Sequence, residues 1–230
     1  MNGARSRGFT LIEIVIVMAI MGITLAFAMP RMQQWLDDQR LKSAARSIAD
    51  ALELGRAEAI RTGNVHLVFF MEERPGVALR ETFVGQNPAD PARPIVPIVI
   101  LNDGRQGSAG QNCLIDVGEE RRARRAEPGV AWGATFAAAD RAPGDPIADG
   151  TPIGGGISLR DAAGNATTWV AFRPDGIPVA ASAACVLGGT GSGAGAIYLS
   201  NGERDYAVVL SALGAVRVHA YERVAAAWRN

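Results

Sequence analysis

From Phe9 to Met29 the chain is apolar for 21 residues, broken only by Thr10, Glu13 and Thr24. Coiled into a helix at 1.5 Å per residue, such a stretch reaches roughly 31 Å, the thickness of the hydrocarbon layer of a bilayer. A short polar leader, Met1 to Gly8, precedes it and carries Arg5 and Arg7. A chain that begins this way is expected to cross a membrane once and to fold the remainder on one side. The competing expectation is an ordinary secretory signal, because Ala26-Phe27-Ala28 presents small residues at the spacing of a cleavage site. Cutting after Ala28 would release a soluble exported protein. Two residues count against it: Glu13 lies inside what would be the apolar core, and Pro30 would fall just after the cut.

Glu13 is the residue that demands an explanation. A carboxylate within a membrane helix costs about 2.5–3.5 kcal/mol on insertion scales, so it needs a partner or a route to the interface. Arg7-Gly8-Phe9-Thr10-Leu11-Ile12-Glu13 resembles the processing site of type IV prepilins and type II secretion pseudopilins. The resemblance implies that a prepilin peptidase cuts between Gly8 and Phe9 on the cytoplasmic side and methylates the new amino group of Phe9, leaving the apolar helix on the protein. It also implies that Glu13 meets the positive N-terminus of a neighbouring subunit during filament assembly. Topology rests on the resemblance too, since Arg5 and Arg7 on one side are matched by Arg31, Arg40, Lys42 and Arg46 on the other. It places the anchor in the inner membrane and the C-terminal domain in the periplasm.

Pro30 follows the apolar stretch and removes a backbone donor, so a kink or a local melt is expected there. Beyond it, Leu41, Ala45, Ile48, Leu52, Gly55 and Ala59 recur at steps of three and four and lay one narrow apolar stripe along a helix. Thr62-Gly63-Asn64 supplies the stop, with Gly63 able to take the left-handed conformation. The expected organisation is a leader over 1–8, a membrane helix over 9–29, an amphipathic continuation over 30–62 and a globular domain over 63–230.

After Asn64 the period changes to that of strands. Val65–Phe70, Ala78–Val84, Ile95–Leu101, Leu114–Val117, Val130–Phe136, Ile157–Arg160, Thr168–Phe172, Ile197–Leu199, Tyr206–Leu210 and Ala215–Tyr221 are the candidates. The fold class is therefore α+β, a pilin-like long helix packed on an antiparallel β-rich domain. Asn102–Asn112, Ala139–Gly156 and Ser182–Ala196, rich in Gly, Ala, Pro and Asp, are expected to be mobile surface loops. Phe172-Arg173-Pro174-Asp175-Gly176, Tyr206 to Ser211 and Gly214 to Val218 together resemble the C-terminal half of the H-type minor pseudopilin and its minor-pilin relatives. Ala215 departs from the basic residue common there. That resemblance implies a low-copy role at a filament tip, priming or capping assembly, with other minor pilins or pseudopilins and the major subunit as partners.

Chemistry of other kinds finds little support. Lys plus Arg equals Asp plus Glu at 23 each, and loss of the leader leaves 21 basic against 23 acidic side chains, which argues against a broadly basic nucleic-acid binder. His66 and His219 stand in no ligand spacing with cysteine or each other, so no zinc site is expected. No local signature of a catalytic nucleophile is seen, and no enzyme activity or cofactor is expected. Cys113 and Cys185 fall in the part assigned to an oxidising compartment, where a bridge between them is permitted. Asp140, Asp145 and Asp149 do not match a calcium-loop spacing, and Gly188 to Gly195 lacks the ending of a phosphate loop. Arg121, Arg122, Arg124 and Arg125 are flanked by Glu119, Glu120 and Glu127 and read as a self-paired solvated loop. Arg217, Arg223 and Arg229, near Tyr221 and Trp228, form the one candidate DNA contact, the basis of an alternative in which the protein serves DNA uptake on a pilus.

Overall fold

The computed structural model describes residues 11–70, 98–113, 121–124, 130–153, 156–182 and 184–229. The helix α1 (Leu11–Thr62) is followed by β1 (His66–Phe70), β2 (Ile98–Asn102), β3 (Arg121–Arg124), β4 (Ala131–Trp132), β5 (Trp169–Phe172), β6 (Pro178–Val179), β7 (Gly195–Ser200), β8 (Asp205–Leu210), β9 (Val216–Glu222) and β10 (Ala227–Arg229). The class is α+β, and the ladders among these strands are antiparallel. Two units are distinguished by their internal contacts, Met1–Gln39 and Arg40–Asn230.

In the first unit the described residues are all helical and nearly all exposed. Helix assignment is continuous through Pro30, so no melted turn interrupts it. In the second unit the whole expected stripe, Leu41, Ala45, Ile48, Leu52, Gly55 and Ala59, is buried, joined by Ala44, Ala49, Ala51 and Glu58. Glu58 tolerates this position by pairing with Arg61, whose Nε lies 2.7 Å from its carboxylate. The helix ends where Gly63 takes φ +69° and returns its N–H to Ala59 O at 3.0 Å, a closure that an L side chain would strain.

Two five-stranded sheets flank this helix segment. One has the order β3-β2-β1-β5-β6, the other β10-β9-β8-β7-β4. Because side chains alternate along a strand, each sheet has two faces to bury. Val68, Phe70, Ile98, Ile100, Val170 and Phe172 of the first sheet, with Ile197, Leu199, Val208 and Leu210 of the second, share one core with the helix stripe. The opposite face of the first sheet, with Leu67, Phe69, Leu101, Trp169 and Ala171, is closed by Cys113, Cys185, Val179 and Ala181. That of the second, with Ala196, Tyr198, Ala207 and Val209, is closed by Ala142, with Ile153 and Trp228 packed against it. Strands buried on both faces read as unbroken apolar runs, as His66-Leu67-Val68-Phe69-Phe70 does. At Gly55 helix and sheet approach closely: a Cβ there would stand 2.5 Å from Val68 Cγ2.

Several expectations need correction. Arg121–Arg124 is no solvated loop but the edge strand β3, paired with Ile98–Leu101. Val130–Phe136 contracts to the two residues of β4, because Gly133 takes φ +115° and the chain turns away. Ile157–Arg160 makes only isolated bridges, at Ile157 and Arg160. Expected strands Ala78–Val84 and Leu114–Val117 lie outside the described residues. The described parts of Ala139–Gly156 and Ser182–Ala196 reach the surface, but each is anchored to the sheets. The first is tied down by buried polar contacts described below. In the second, a Cβ on Gly193 would stand 2.5 Å from the carbonyl carbon of Pro178, and Gly195 already belongs to β7.

Candidate functional site: the exposed apolar helix

A helix in water hides its apolar side chains, yet Leu11 and Phe27 are 82% and 75% exposed, and Ile12, Ile16, Met18, Ile20, Ile23 and Met29 are exposed with them. The apolar residues run all the way round the helix, the pattern of a span and not of a docking face. Within the described residues α1 is the one helix long and apolar enough to cross a membrane, and none of its apolar window is buried by the rest of the chain. Even its polar interruption is accommodated: Thr24 Oγ1 donates to Ile20 O at 3.0 Å and Met21 O at 2.9 Å, so the hydroxyl needs no water. Glu13 lies in the apolar part of this helix, where lipid opposes a negative charge.

Residues 3–29 match the model of the prokaryotic N-terminal methylation motif. The chain carries a type IV prepilin-like signal. The match runs from Gly3, inside the expected leader, through Gly8, Phe9 and Glu13 to the end of the apolar stretch at Met29, and the family so marked is structural, not catalytic. Together with the exposed helix it fits an inner-membrane protein anchored by one pass, of the pilin or pseudopilin kind. No curated protein and no solved structure gives a match. Gly8 and Phe9 lie outside the described residues.

The three arginines of the candidate DNA contact lie on β9, β10 and the turn that joins them. Arg229 is paired with Glu222, Arg223 lies 3.8 Å over the ring of Phe136, and Arg217 projects from β9 as an exposed side chain. His66 is in the first sheet and His219 in the second, so the two share no sheet. A groove lined by Ile48, Ile98, Val130, Trp132 and Leu199 is apolar and gathers no acid, base or metal ligand.

The three aspartates of 140–149 serve the protein itself. Asp145 receives the Tyr198 hydroxyl at 2.6 Å, Ser158 Oγ at 2.8 Å and the N–H of Ile147 at 3.1 Å, and pairs with Arg141 at 3.0 Å with both side chains buried. Burial, then the hydrogen bond to Asp145, pushes the Tyr198 phenol well above its ordinary range, so it stays a donor. Asp149 receives the N–H of Arg141 at 2.6 Å. Asp140 faces Tyr221, and its carboxyl is raised by burial and by the charge of Asp149. Asp205, 1% exposed, accepts the N–H groups of Thr135, Phe136 and Ala137 at 2.9, 2.6 and 2.9 Å. These clusters are the polar rivets of the second sheet, and sequence reading found neither, since their partners lie 53 and 68–70 residues apart.

Cys113 and Cys185 are joined in a disulfide, their Cα atoms 5.5 Å apart and 72 residues apart in sequence. The bridge ties the loop after β2 to the loop before β7, over the outer face of the first sheet.

Proposed function

We propose that this chain is a minor pilin or pseudopilin, a non-enzymatic subunit that primes or caps a type IV pilus or a type II secretion filament. The observation that carries the reading is the exposed apolar segment of α1 that lies within the methylation motif. In this reading prepilin peptidase cuts after Gly8 and methylates Phe9, and the product waits in the inner membrane with residues 63–230 in the periplasm. Assembly then moves the helix from lipid into a bundle of like helices formed by other minor subunits and the major one. Glu13 loses the solvation problem when the free amine of a neighbouring subunit reaches it, and one such contact per subunit fixes the axial register. Pro30, without an N–H to bind Ala26 O, is where the helix bends to fit its neighbours. The three C-terminal segments that resemble the H-type group support the tip position: the turn at Gly176 and that at Gly214 abut at the end of α1, with Arg56 Nη1 donating to Gly214 O at 3.1 Å.

Glu13→Ala tests the reading. The variant is expected to insert and to be cleaved to a methylated N-terminal Phe9 by mass spectrometry, yet to fall at least about tenfold in co-purification with the filament subunits, a loss equivalent to one buried charge pair. Normal recruitment overturns the register role, and a mature N-terminus at Met29 overturns the whole assignment.

A further inference from the structure

The Cys113–Cys185 bridge has an unusual neighbour. Asp103, immediately after β2, is 0% exposed. Its carboxylate accepts the N–H of Cys113 at 3.0 Å and of Asn112 at 3.3 Å, and its second oxygen lies 3.5 Å from Cys185 Sγ. In the disulfide that sulfur has no proton to donate, so the contact is between a carboxylate oxygen and a sulfur atom. Carboxylate and both sulfurs lie within 4.8 Å of one another. The backbone bonds have a clear use: Cys113 sits at φ 57°, a left-handed conformation rare for a side chain of this kind, and Asp103 holds it there. Placing a carboxylate against the reactive sulfur is not needed for that.

We propose that Asp103 guards the bridge against reduction by thiols. Cleavage begins when a thiolate RS⁻ attacks one sulfur. An R–S–Sγ bond forms, the Sγ–Sγ bond breaks, and its electron pair leaves on the other cysteine as thiolate. A second RS⁻ then attacks the R–S–Sγ bond, giving R–S–S–R and the second cysteine thiolate, and both cysteines take protons from water. Every negative species in this sequence, the attacking RS⁻ and the leaving Cys113 or Cys185 thiolate, must develop within a few ångströms of the Asp103 carboxylate. Like charges at that distance in a poorly hydrated site repel strongly. The barrier to reduction rises, and the loops covering the outer face of the first sheet stay joined in a compartment where thiol-bearing exchange catalysts act on exported chains. Both cysteines are also buried, at 6% and 5% exposure, but burial impedes every reductant alike, whereas a charge discriminates among them.

That difference supplies the test. The full chain in non-ionic detergent is reduced with cationic cysteamine and with anionic mercaptoethanesulfonate. Each rate is normalised to the same thiol's rate on a small uncharged disulfide. The native protein is expected to favour the cationic thiol by about tenfold or more, and Asp103→Asn, which keeps an oxygen for the two N–H groups, to bring the ratio to near one by accelerating the anionic reaction. A native ratio near one overturns the proposal even if Asp103→Asn fails to fold. Equal acceleration of both thiols in the variant also overturns it, because loosening and not charge would then be responsible.

Discussion

Gly55 is the position where a single methyl group should be felt most. It lies in the buried stripe of α1, and its missing Cβ is what lets Val68 Cγ2 of β1 approach to 2.5 Å from where that Cβ would be, with Phe172 Cδ2 at 3.5 Å. Val68 and Phe172 are both 0% exposed, in the core shared by the helix and both sheets. In a free helix Gly→Ala stabilises by about 1 kcal/mol. Here the added methyl must displace a β-branched side chain with few rotamers to retreat into, and overpacking of this kind costs about 1–3 kcal/mol. The sum for Gly55→Ala is a net loss of about 1 kcal/mol, opposite in sign to the helix propensity. Val68→Ala by itself should cost about 2 kcal/mol as a cavity. Combined, the new methyl occupies the vacated space, so the double variant should be no worse than about 1 kcal/mol below the parent, a coupling of about 2 kcal/mol. Urea unfolding of the full chain in non-ionic detergent reports this through the buried Trp132 and Trp169. Stabilisation by Gly55→Ala, or costs that add to within about 0.5 kcal/mol, would refute the close-approach argument.

Two further outcomes follow from the buried polar groups. Asp205→Ala removes the acceptor of three backbone N–H groups and should cost about 3 kcal/mol or more in the same urea assay, with hydrogen exchange rising first at residues 135–137. His219 is 2% exposed, its Nε2 has no hydrogen-bond partner among the described residues, and burial, then the charge of Arg217, holds its pKa below the ordinary 6.5. Below that value the unfolded chain takes up a proton that the native imidazole refuses, so this group's contribution falls as pH drops through 6.5 toward the depressed native value. Comparing urea midpoints at about pH 7.5 and about pH 5.5, His219→Gln should show a smaller loss than the parent.

What could be read from the residues depended on whether the decisive contacts were local. The stripe from Leu41 to Ala59 was legible because a helix repeats every few residues, β8 because it is a short apolar run bounded by turns, and β9 because apolar alternation marks it. The methylation motif stood out because its leader, acidic residue and apolar stretch are contiguous in sequence. Arg121–Arg124 was illegible as a strand: at a sheet edge, charged side chains blunt the alternation that would announce it. Ala139–Gly156 has the composition of a mobile loop, and what fixes it is Tyr198 and Ser158 meeting Asp145 from another part of the chain. For Arg223 and Arg229, sequence spacing does not reveal their contacts with Phe136 and Glu222.

The order β3-β2-β1-β5-β6 makes β1 a central strand although it is the first one synthesised. Its neighbour β5 begins at Trp169, about 100 residues after β1 ends, which at ribosomal speeds of about 5–20 residues per second is a delay of about 5–20 seconds. Throughout that interval His66-Leu67-Val68-Phe69-Phe70 offers a bare, sticky hydrogen-bonding edge. Safe delivery of this subunit therefore depends on something covering that pentapeptide in transit, and a ribosome-bound or export chaperone should crosslink there more strongly than at the late-made strands.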